Sequence, residues 1–441
     1  MIKTKSPWFW VPTLYFAQGI PYFIVNNISV MMFTKMGVPN GEMALFTSLL
    51  YLPWSFKPFW SPFVDIIKTK RWWTITMQIL MSIAFILLTM TIPTPDAEMM
   101  ASQTTPISMF TVTLLLFTIT AFASATHDIA ADGFYMLALP QNEQAAFVGI
   151  RSTFYRLASI FGQGVLVAIA GAIELSSQDI PFSWRITMLV TAVIFSATTL
   201  YHTFFVPRPD SDRSVLGEEK ASAKAIFREF GRTFATYFKK PGVILAICFM
   251  LLYRLPEAFL LKLCMPFLVA SREMGGLGLS TAEVGIVYGT IGVIFLTVGG
   301  ILGGIFASRL GLKKSLWWMA ACMTLPCLTF VYLAIGLPTN LVVISTAIAI
   351  EQFGYGFGFT AYMLYMMHFS EGEFKTSHYA ICTAFMALGM MIPGMAAGWL
   401  QEIMGYRMFF IWIMICTLAT FGVAALLKID PEFGKKKQIS K

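Results

Sequence analysis

The sequence predicts an all-α integral membrane protein with twelve transmembrane helices arranged as two six-helix bundles. Three observations carry this prediction: an apolar composition, a series of long apolar runs, and one polar segment that divides these runs into six and six. Of the 441 residues, 57% are hydrophobic and only 12% are charged, whereas a soluble domain carries roughly 25% charged residues. This composition excludes an ordinary soluble enzyme or binding module.

The apolar runs are long enough to cross a bilayer as helices, which takes about 20 residues. Twelve such runs follow one another along the chain, and we number them as spans 1 to 12. Their ranges are 8–33, 43–64, 73–92, 107–137, 145–173, 184–206, 242–270, 282–308, 315–336, 340–369, 378–401 and 406–428. The N-terminus runs straight into span 1 without a small-residue cleavage site, so we expect no cleavable signal peptide.

Lysine and arginine in the loops predict the orientation of the chain. The side that holds both termini carries 22 Lys and Arg residues, and the opposite loops carry four: Lys35, Arg185, Arg272 and Arg407. Because cytoplasmic loops are the ones enriched in Lys and Arg, both termini are predicted to lie in the cytoplasm. The net charge of +8 follows from this topology and does not indicate a nucleic-acid partner.

The polar segment 208–240 separates the two halves. We predict an N-terminal six-helix bundle at 1–207, a cytoplasmic linker at 208–240, a C-terminal six-helix bundle at 241–430 and a basic cytoplasmic tail at 431–441. From Glu218 onward the linker has the apolar spacing of an amphipathic helix. A solvated linker with a helical turn or two is the alternative.

A repeated loop motif supports the division into halves. SPFVDIIKTKRWW follows span 2, and GGILGGIFASRLGLKKSLWW runs from span 8 into span 9. Each segment consists of a helix end, a basic turn and a Trp pair. Both resemble the loop signature of the major facilitator superfamily. The resemblance implies gating loops formed by Asp65, Lys68, Arg71, Arg309 and Lys313, and a substrate site near the midplane between the halves.

Ionisable residues inside spans indicate function, because a charge in the bilayer is costly unless it is paired or hydrated. Five bases and four acids remain once the loops are removed: Lys57, Asp128, Asp132, Arg151, Arg156, Arg254, Glu257, Lys262 and Glu351. Their near balance suggests mutual compensation around a polar cavity. We interpret the four acids, together with His127, as candidates for proton coupling and the bases as candidates for substrate binding.

Span 4 ends in SATHDIAADGFY, where Asp128 and Asp132 are four residues apart and therefore share a helix face. Arg151 and Arg156 lie early in span 5, and the short connection makes the two helices antiparallel neighbours, so we expect acids and arginines to meet. A structural salt-bridge cluster that locks the helices is the alternative. His127 favours a functional role for Asp128, because imidazole titrates near neutral pH.

Span 7 carries Arg254 roughly 18 Å from its start at the usual helical rise, with Glu257 three residues on and Lys262 beyond. At that spacing Arg254 and Glu257 can pair on one face. Pro256 between them predicts a kink. We interpret this stretch as part of a gate or a substrate cradle, with a purely structural Arg–Glu pair as the alternative.

Amide and aromatic side chains on spans 1, 2 and 10 suit a sugar, since amides bind hydroxyl groups and rings stack on C–H faces. Span 10 adds Gly354, Gly356 and Gly358, which allow another helix to approach closely. The substrate-binding candidates of these spans, besides Lys57, are Gln18, Asn26, Asn27, Trp60, Gln352, Tyr355 and Tyr362.

The chain resembles the AmpG-type muropeptide permeases, a branch of the major facilitator superfamily. The matching motifs are YFAQGIPY, FKPFWSPFVD, ASATHDIAADGFYMLALP, FYRLASIFGQG, LYRLPEAF, EVGIVYGTIG and EQFGYGFG. The resemblance implies proton-driven inward transport of anhydromuropeptides, the disaccharide–peptide fragments recovered in peptidoglycan recycling, by alternating access across the bacterial inner membrane. It also matches Asp128 and Asp132 to the family's paired acids, whereas His127, Tyr135, Leu137 and Arg151 depart from its pattern.

We therefore expect a secondary active transporter and not an enzyme. Membrane aspartyl proteases need two acids on different helices, whereas Asp128 and Asp132 share one. No cofactor or metal is expected, since the proton gradient supplies the energy; the expected partners are a saccharide–peptide solute and the lipid bilayer, and the expected state is a monomer. The alternatives are the same fold carrying a siderophore or an acetyl-coenzyme A-like anion, and a transporter-like sensor that binds without translocating.

Overall fold

The structure is a computed structural model that describes residues 6–93, 109–139, 141–212, 223–372, 375–431 and 433. Within these residues every regular element is a helix. A helix satisfies its backbone hydrogen bonds internally, which is what a segment surrounded by lipid requires. The all-α prediction is confirmed.

Nine helices of the described chain are long and apolar enough to cross a membrane. They are Lys70–Thr91, Met109–Ala138, Thr153–Ser177, Ile180–Phe205, Val243–Val269, Thr281–Leu310, Leu312–Gly336, Leu341–Phe369 and Ser377–Leu426. The last one joins two helices at Gly405, whose φ of 70° is not helical, and therefore contains spans 11 and 12.

Span 1 contains a π-helical turn, and span 2 is divided into two helices. Span 1 consists of Val11–Phe23, a π-helical turn at Ile24–Ile28 and Ser29–Lys35. Span 2 consists of Asn40–Leu49 and Leu52–Ile66. Together with the nine long helices these segments account for the twelve predicted spans.

Span 7 is broken at the predicted place. Helix Val243–Leu252 ends ahead of Tyr253, and helix Leu255–Val269 begins with Pro256 in its first turn. Arg254 lies at the start of the second helix with φ −102° and ψ 15°. The kink predicted from Pro256 is confirmed.

The chain folds into two compact units. Unit 1 comprises Met1–Val38 and Phe56–Gly231, and unit 2 comprises Pro39–Ser55 and Arg232–Lys441. The bundle boundaries predicted from the sequence, 1–207 and 241–430, remain predictions. A helix, Ala223–Phe238, occupies the end of the 208–240 segment. In unit 2, its Tyr237 is fully buried in the core, and Phe234 packs against the same cluster.

The core of unit 1 around span 4 is aromatic. Trp10, Tyr15, Phe134 and Tyr135 form one buried cluster there. This packing surrounds the helix end that carries Asp128 and Asp132.

Unit 2 depends on glycines for close helix packing. A Cβ atom at Gly356 would overlap the carbonyl oxygen of Leu296, and one at Gly358 would overlap that of Met319. The close approach predicted for span 10 is therefore confirmed. Residues 39–55 belong to this unit as well: the Gly41 N–H donates to Glu402 Oε1 at 2.7 Å, and Asn40 donates to Gln401 Oε1 at 2.6 Å.

Candidate functional site

Asp128 in unit 1 is held by one base and one amide. Lys57 Nζ lies 2.6 Å from its Oδ2, and Gln18 donates its side-chain N–H to Oδ1. The Lys57 and Asp128 side chains are 22% and 20% exposed. Asp128 is thus charge-compensated as expected, but its base comes from span 2 and not from the arginines of span 5.

Asp132, one helical turn further on, has a separate set of partners. Arg151 donates from Nη2 to its Oδ1 at 2.7 Å, and the Tyr15 hydroxyl donates to the same oxygen at 2.8 Å. The guanidinium carbon of Arg151 lies 4.3 Å from the Tyr15 ring centroid and 4.9 Å from that of Tyr135. The contact predicted between span 4 and span 5 is confirmed for this pair.

His127 lies in a buried network that sequence reasoning missed. Its Nε2 is 2.9 Å from Gln78 Nε2, and Gln78 Oε1 is 3.0 Å from His202 Nδ1. His202 Nε2 in turn lies 3.0 Å from the Thr13 hydroxyl. Gln78 and His202 are fully buried. Both are polar residues within apolar runs, and this is the feature of the sequence that could have indicated the network.

Arg254 in unit 2 is surrounded by aromatic rings. It donates to the Tyr355 hydroxyl at 2.5 Å, and its guanidinium carbon lies 4.7 Å from the Phe359 ring centroid and 5.9 Å from that of Tyr362. The Tyr362 hydroxyl donates to the Met250 carbonyl at 2.7 Å. Span 10 therefore supplies most of the contacts seen for Arg254.

Glu257 does not form the hydrogen-bonded pair with Arg254 that the sequence suggested. Glu257 is 1% exposed, and neither of its carboxylate oxygens has a hydrogen-bond partner within the described residues. The physical reason is the break in span 7, because Arg254 precedes the second helix and lacks the i, i+3 geometry of a continuous one. The two groups still interact electrostatically.

Glu351 is the second buried acid of unit 2. It is fully buried, its Oε2 accepts a hydrogen bond from Gln352 at 2.8 Å, and its Oε1 has no hydrogen-bond partner among the residues the structure describes. Glu351 and Glu257 interact electrostatically. Neither acid is hydrogen-bonded to a base in the described part of the chain, in contrast to Asp128 and Asp132.

Lys262 lies elsewhere in unit 2. Its ammonium group donates to the Thr47 hydroxyl at 3.1 Å and lies 5.7 Å from the Tyr51 ring centroid. The side chain is 6% exposed. The structure thus brings Lys262 to the 39–55 segment.

The remaining predicted substrate-binding residues lie in unit 1. Asn26 is buried and donates to the Tyr22 carbonyl at 3.0 Å, inside the π-helical turn of span 1, and Asn27 beside it is half-buried. Trp60 lies 5.5 Å from Phe122 between ring centroids. Arg156 is half-buried on the helix Gln141–Ser159.

The first predicted gating loop is bound to the end of span 6. The N–H groups of Lys70 and Arg71 donate to the Asp212 carboxylate at 2.7 and 2.9 Å. Arg71 also donates to the carbonyls of Thr203 and Val206. Lys68 is exposed, and the side chain of Asp65 lies outside the described residues. In the second loop, Arg309 and Lys313 are exposed.

One cavity of about 610 Å³ lies among spans 8, 9 and 10. Its lining is almost entirely apolar and includes Phe295, Pro326 and Phe353. None of the predicted site residues lines this cavity, so it does not mark the predicted site.

The family of the chain follows from its similarity to known proteins. A model of the Major Facilitator Superfamily matches residues 13–376, and the chain belongs to this superfamily. It is a multi-pass membrane transporter of a small-molecule substrate and not an enzyme.

Several relatives that the chain matches carry the name of an anhydromuropeptide permease or of an AmpG transporter, as the motifs predicted. The anhydromuropeptide permease of Escherichia coli (strain K12) is 26% identical over 403 residues, which cover 90% of this chain and 74% of the relative. A Rickettsia conorii protein that carries the name transporter AmpG 4 is 26% identical over 421 residues, covering 93% of this chain and 94% of the relative.

Solved structures confirm the fold. A bacterial homologue of the lysosomal transporter Spinster superposes with a TM-score of 0.68 at 15% identity and 96% coverage of both chains. The nucleoside transporter NupG superposes with a TM-score of 0.63 at 16% identity, covering 95% of this chain and 98% of its own.

Proposed function

We propose that the chain imports anhydromuropeptides together with protons across the bacterial inner membrane, by alternating access, and so serves peptidoglycan recycling. The name of the Escherichia coli relative supports the solute class. The proton gradient supplies the energy without a cofactor. The chain acts as a monomer with both termini in the cytoplasm, an orientation that the distribution of Lys and Arg in the loops supports.

The observation that carries the proposal is that the four acids inside the predicted spans differ in whether they contact a base. Asp128 and Asp132 each contact a base within 2.7 Å, whereas Glu257 and Glu351 have none as a hydrogen-bond partner within the described residues. An ionised carboxylate inside a membrane protein needs a counter-charge. A proton supplies that charge, so Glu257 and Glu351 carry the coupled proton in this proposal.

The other predicted residues bind the solute or position the charges. The bases and the amide and aromatic side chains of both units bind the saccharide–peptide solute, while Asp128, Asp132 and His127 complete the proton-coupling set. The five loop residues around Arg71 and Arg309 act in gating. The contacts of Arg71 with carbonyl groups at the end of span 6 support that role.

Uptake into proteoliposomes tests this proposal, with labelled anhydromuropeptide outside and an acidic outside pH. We expect accumulation that requires the pH gradient. Glu351→Gln should reduce accumulation by at least about tenfold but retain exchange of labelled for unlabelled solute at equal pH. Asp128→Asn should abolish both while membrane expression stays normal, because Lys57 loses its counter-charge.

A control variant on span 4 separates these effects from general damage. Among the described residues, Thr126 bonds only to its own helix, at Phe122, and is therefore not expected to affect uptake when changed to alanine. Gradient-dependent accumulation by Glu351→Gln would remove that residue from the coupling mechanism. Binding of anhydromuropeptide by the wild-type protein without any uptake would indicate a sensor, and uptake of other solutes alone would overturn the solute class.

A further inference from the structure

Arg151 in unit 1 lies against two aromatic rings that are nearly perpendicular to each other. Its guanidinium carbon lies 4.3 Å from the Tyr15 centroid and 4.9 Å from the Tyr135 centroid. Both tyrosines are only 2% exposed, so they are fixed by the packing around them. Contacts of a guanidinium with ring faces fix its plane and leave the edges available for hydrogen bonds.

Most of the hydrogen-bonding capacity of Arg151 is unused. A guanidinium has five N–H donors, and among the described residues Arg151 makes a single hydrogen bond, from Nη2 to Asp132 Oδ1 at 2.7 Å. Its side chain is 29% exposed, and that of Asp132 is 40% exposed. The planar edge of Arg151 is therefore both oriented and accessible.

Asp132 has a second partner besides Arg151. The Tyr15 hydroxyl donates to the same carboxylate oxygen at 2.8 Å, so Asp132 would keep one hydrogen bond if Arg151 turned to a new partner. Both partners of this ion pair are partly exposed. Asp128 differs, because Lys57 and Gln18 hold both of its oxygens.

We propose that Arg151 binds a carboxylate of the transported solute in exchange for Asp132. Guanidinium and carboxylate match in a planar, bidentate geometry that neither an ammonium nor an amide can offer. The inference rests on the proposed function, because the peptide part of that solute supplies the carboxylate. It gives unit 1 a recognition site for the peptide and leaves the sugar to other residues.

The test compares two labelled probes in proteoliposomes that contain the full chain. One is an anhydromuropeptide with free peptide carboxylates, and the other has every carboxylate converted to a carboxamide. The wild-type protein should show a KM for the acid form about tenfold lower than for the carboxamide form, the factor that one good charge-assisted hydrogen-bonded pair supplies.

Two substitutions should move the KM of the acid form in opposite directions. Arg151→Gln should raise it to the value of the carboxamide form, because the guanidinium is lost. Asp132→Asn should lower it, because the internal competitor loses its charge. The readout is the ratio of the KM values of the two forms, since a general effect of either change on transport acts on both forms. A purely structural salt bridge would give the same sign for both variants.

Two further variants keep the test decisive. Arg185 lies in the same unit and donates to the Ile92 carbonyl at 3.3 Å, so Arg185→Gln should leave the ratio of the two KM values unchanged. If Arg151→Gln does not fold, Arg151→Lys keeps the charge without the planar fork and should give an intermediate ratio. Competition between the two probes for uptake by the wild-type protein compares the acid and carboxamide forms without any variant.

The outcomes separate the two proposals. Equal KM values for both probes in the wild type, or a wild-type ratio in Arg151→Gln, would overturn the carboxylate site and leave the transport proposal intact. If the wild-type protein accumulates neither probe, the proposed function fails and the carboxylate site fails with it.

Discussion

At the scale of single residues, the charged side chains of the two units are partnered differently. In unit 1 Asp128 is paired with Lys57, and Asp132 is paired with Arg151. In unit 2 the buried acids Glu257 and Glu351 have no base as a hydrogen-bond partner within the described residues. Paired charges inside a membrane protein are stable as they are, whereas unpaired ones need a proton or a ligand. This contrast is why the proposed proton carriers lie in unit 2.

Gln78 connects two buried imidazoles in one hydrogen-bond network. Its amide N–H faces His127 Nε2, and its carbonyl oxygen faces His202 Nδ1. An amide can donate only from nitrogen and accept only at oxygen. With this orientation of the amide, His127 accepts at Nε2 and His202 donates from Nδ1. The network connects spans 1, 3, 4 and 6.

Replacing Gln78 by leucine should destabilise the protein. The change leaves one nitrogen on each imidazole without its partner, at a cost of roughly 1–3 kcal/mol for each buried group. We expect a lower midpoint of thermal unfolding for the purified protein in detergent. Ile79, the next residue, is 47% exposed, and Ile79→Leu should leave the midpoint unchanged. An unchanged midpoint for Gln78→Leu would show that the network contributes no stability.

At the scale of helices, the sequence predicts where a helix lies and where it breaks better than it predicts which side chains meet. The break in span 7 follows from Pro256, because proline lacks an N–H and clashes with the preceding turn. The partner of Asp128 was not predictable in the same way. Lys57 lies 71 positions away in sequence, and which face of span 2 meets span 4 depends on the rotation of both helices. Hydrophobic patterning does not encode that rotation when both helices are apolar on most sides.

The glycines of span 10 permit a prediction at the same scale. A Cβ at Gly356 would overlap the Leu296 carbonyl oxygen, so Gly356→Ala must push span 8 away. Overpacking of this kind costs about 1–3 kcal/mol. Gly304 in span 8 is the matched control, since a Cβ there would have no atom of the described residues within 4 Å. The midpoint of thermal unfolding should be lower for Gly356→Ala than for the wild type and unchanged for Gly304→Ala. Equal midpoints for the two variants would contradict the close approach of spans 8 and 10.

At the scale of the whole molecule, most of what the sequence predicts follows from its composition and from the charges in its loops. The fold class and the twelve spans follow from apolar length alone, because a segment in lipid has few alternatives to a helix. The grouping of residues 39–55 with unit 2 was not foreseeable. It depends on contacts such as Gly41 with Glu402, between positions 361 residues apart in the chain.

The predicted orientation of the molecule can be tested with two single cysteine substitutions. Met274 is 72% exposed in the loop between spans 7 and 8, which the distribution of Lys and Arg assigns to the outside. Ser211 is exposed in the segment between spans 6 and 7, on the predicted cytoplasmic side. A membrane-impermeant maleimide added to intact spheroplasts should label Met274→Cys at once and Ser211→Cys only after lysis.

The wild-type protein supplies the baseline for this labelling, because its six free cysteines are buried or half-buried. The physical basis of the expectation is that Lys and Arg resist transfer across the membrane during insertion, and 22 of them lie on one predicted side against four on the other. Labelling of Ser211→Cys in intact spheroplasts, with protection of Met274→Cys, would invert the topology.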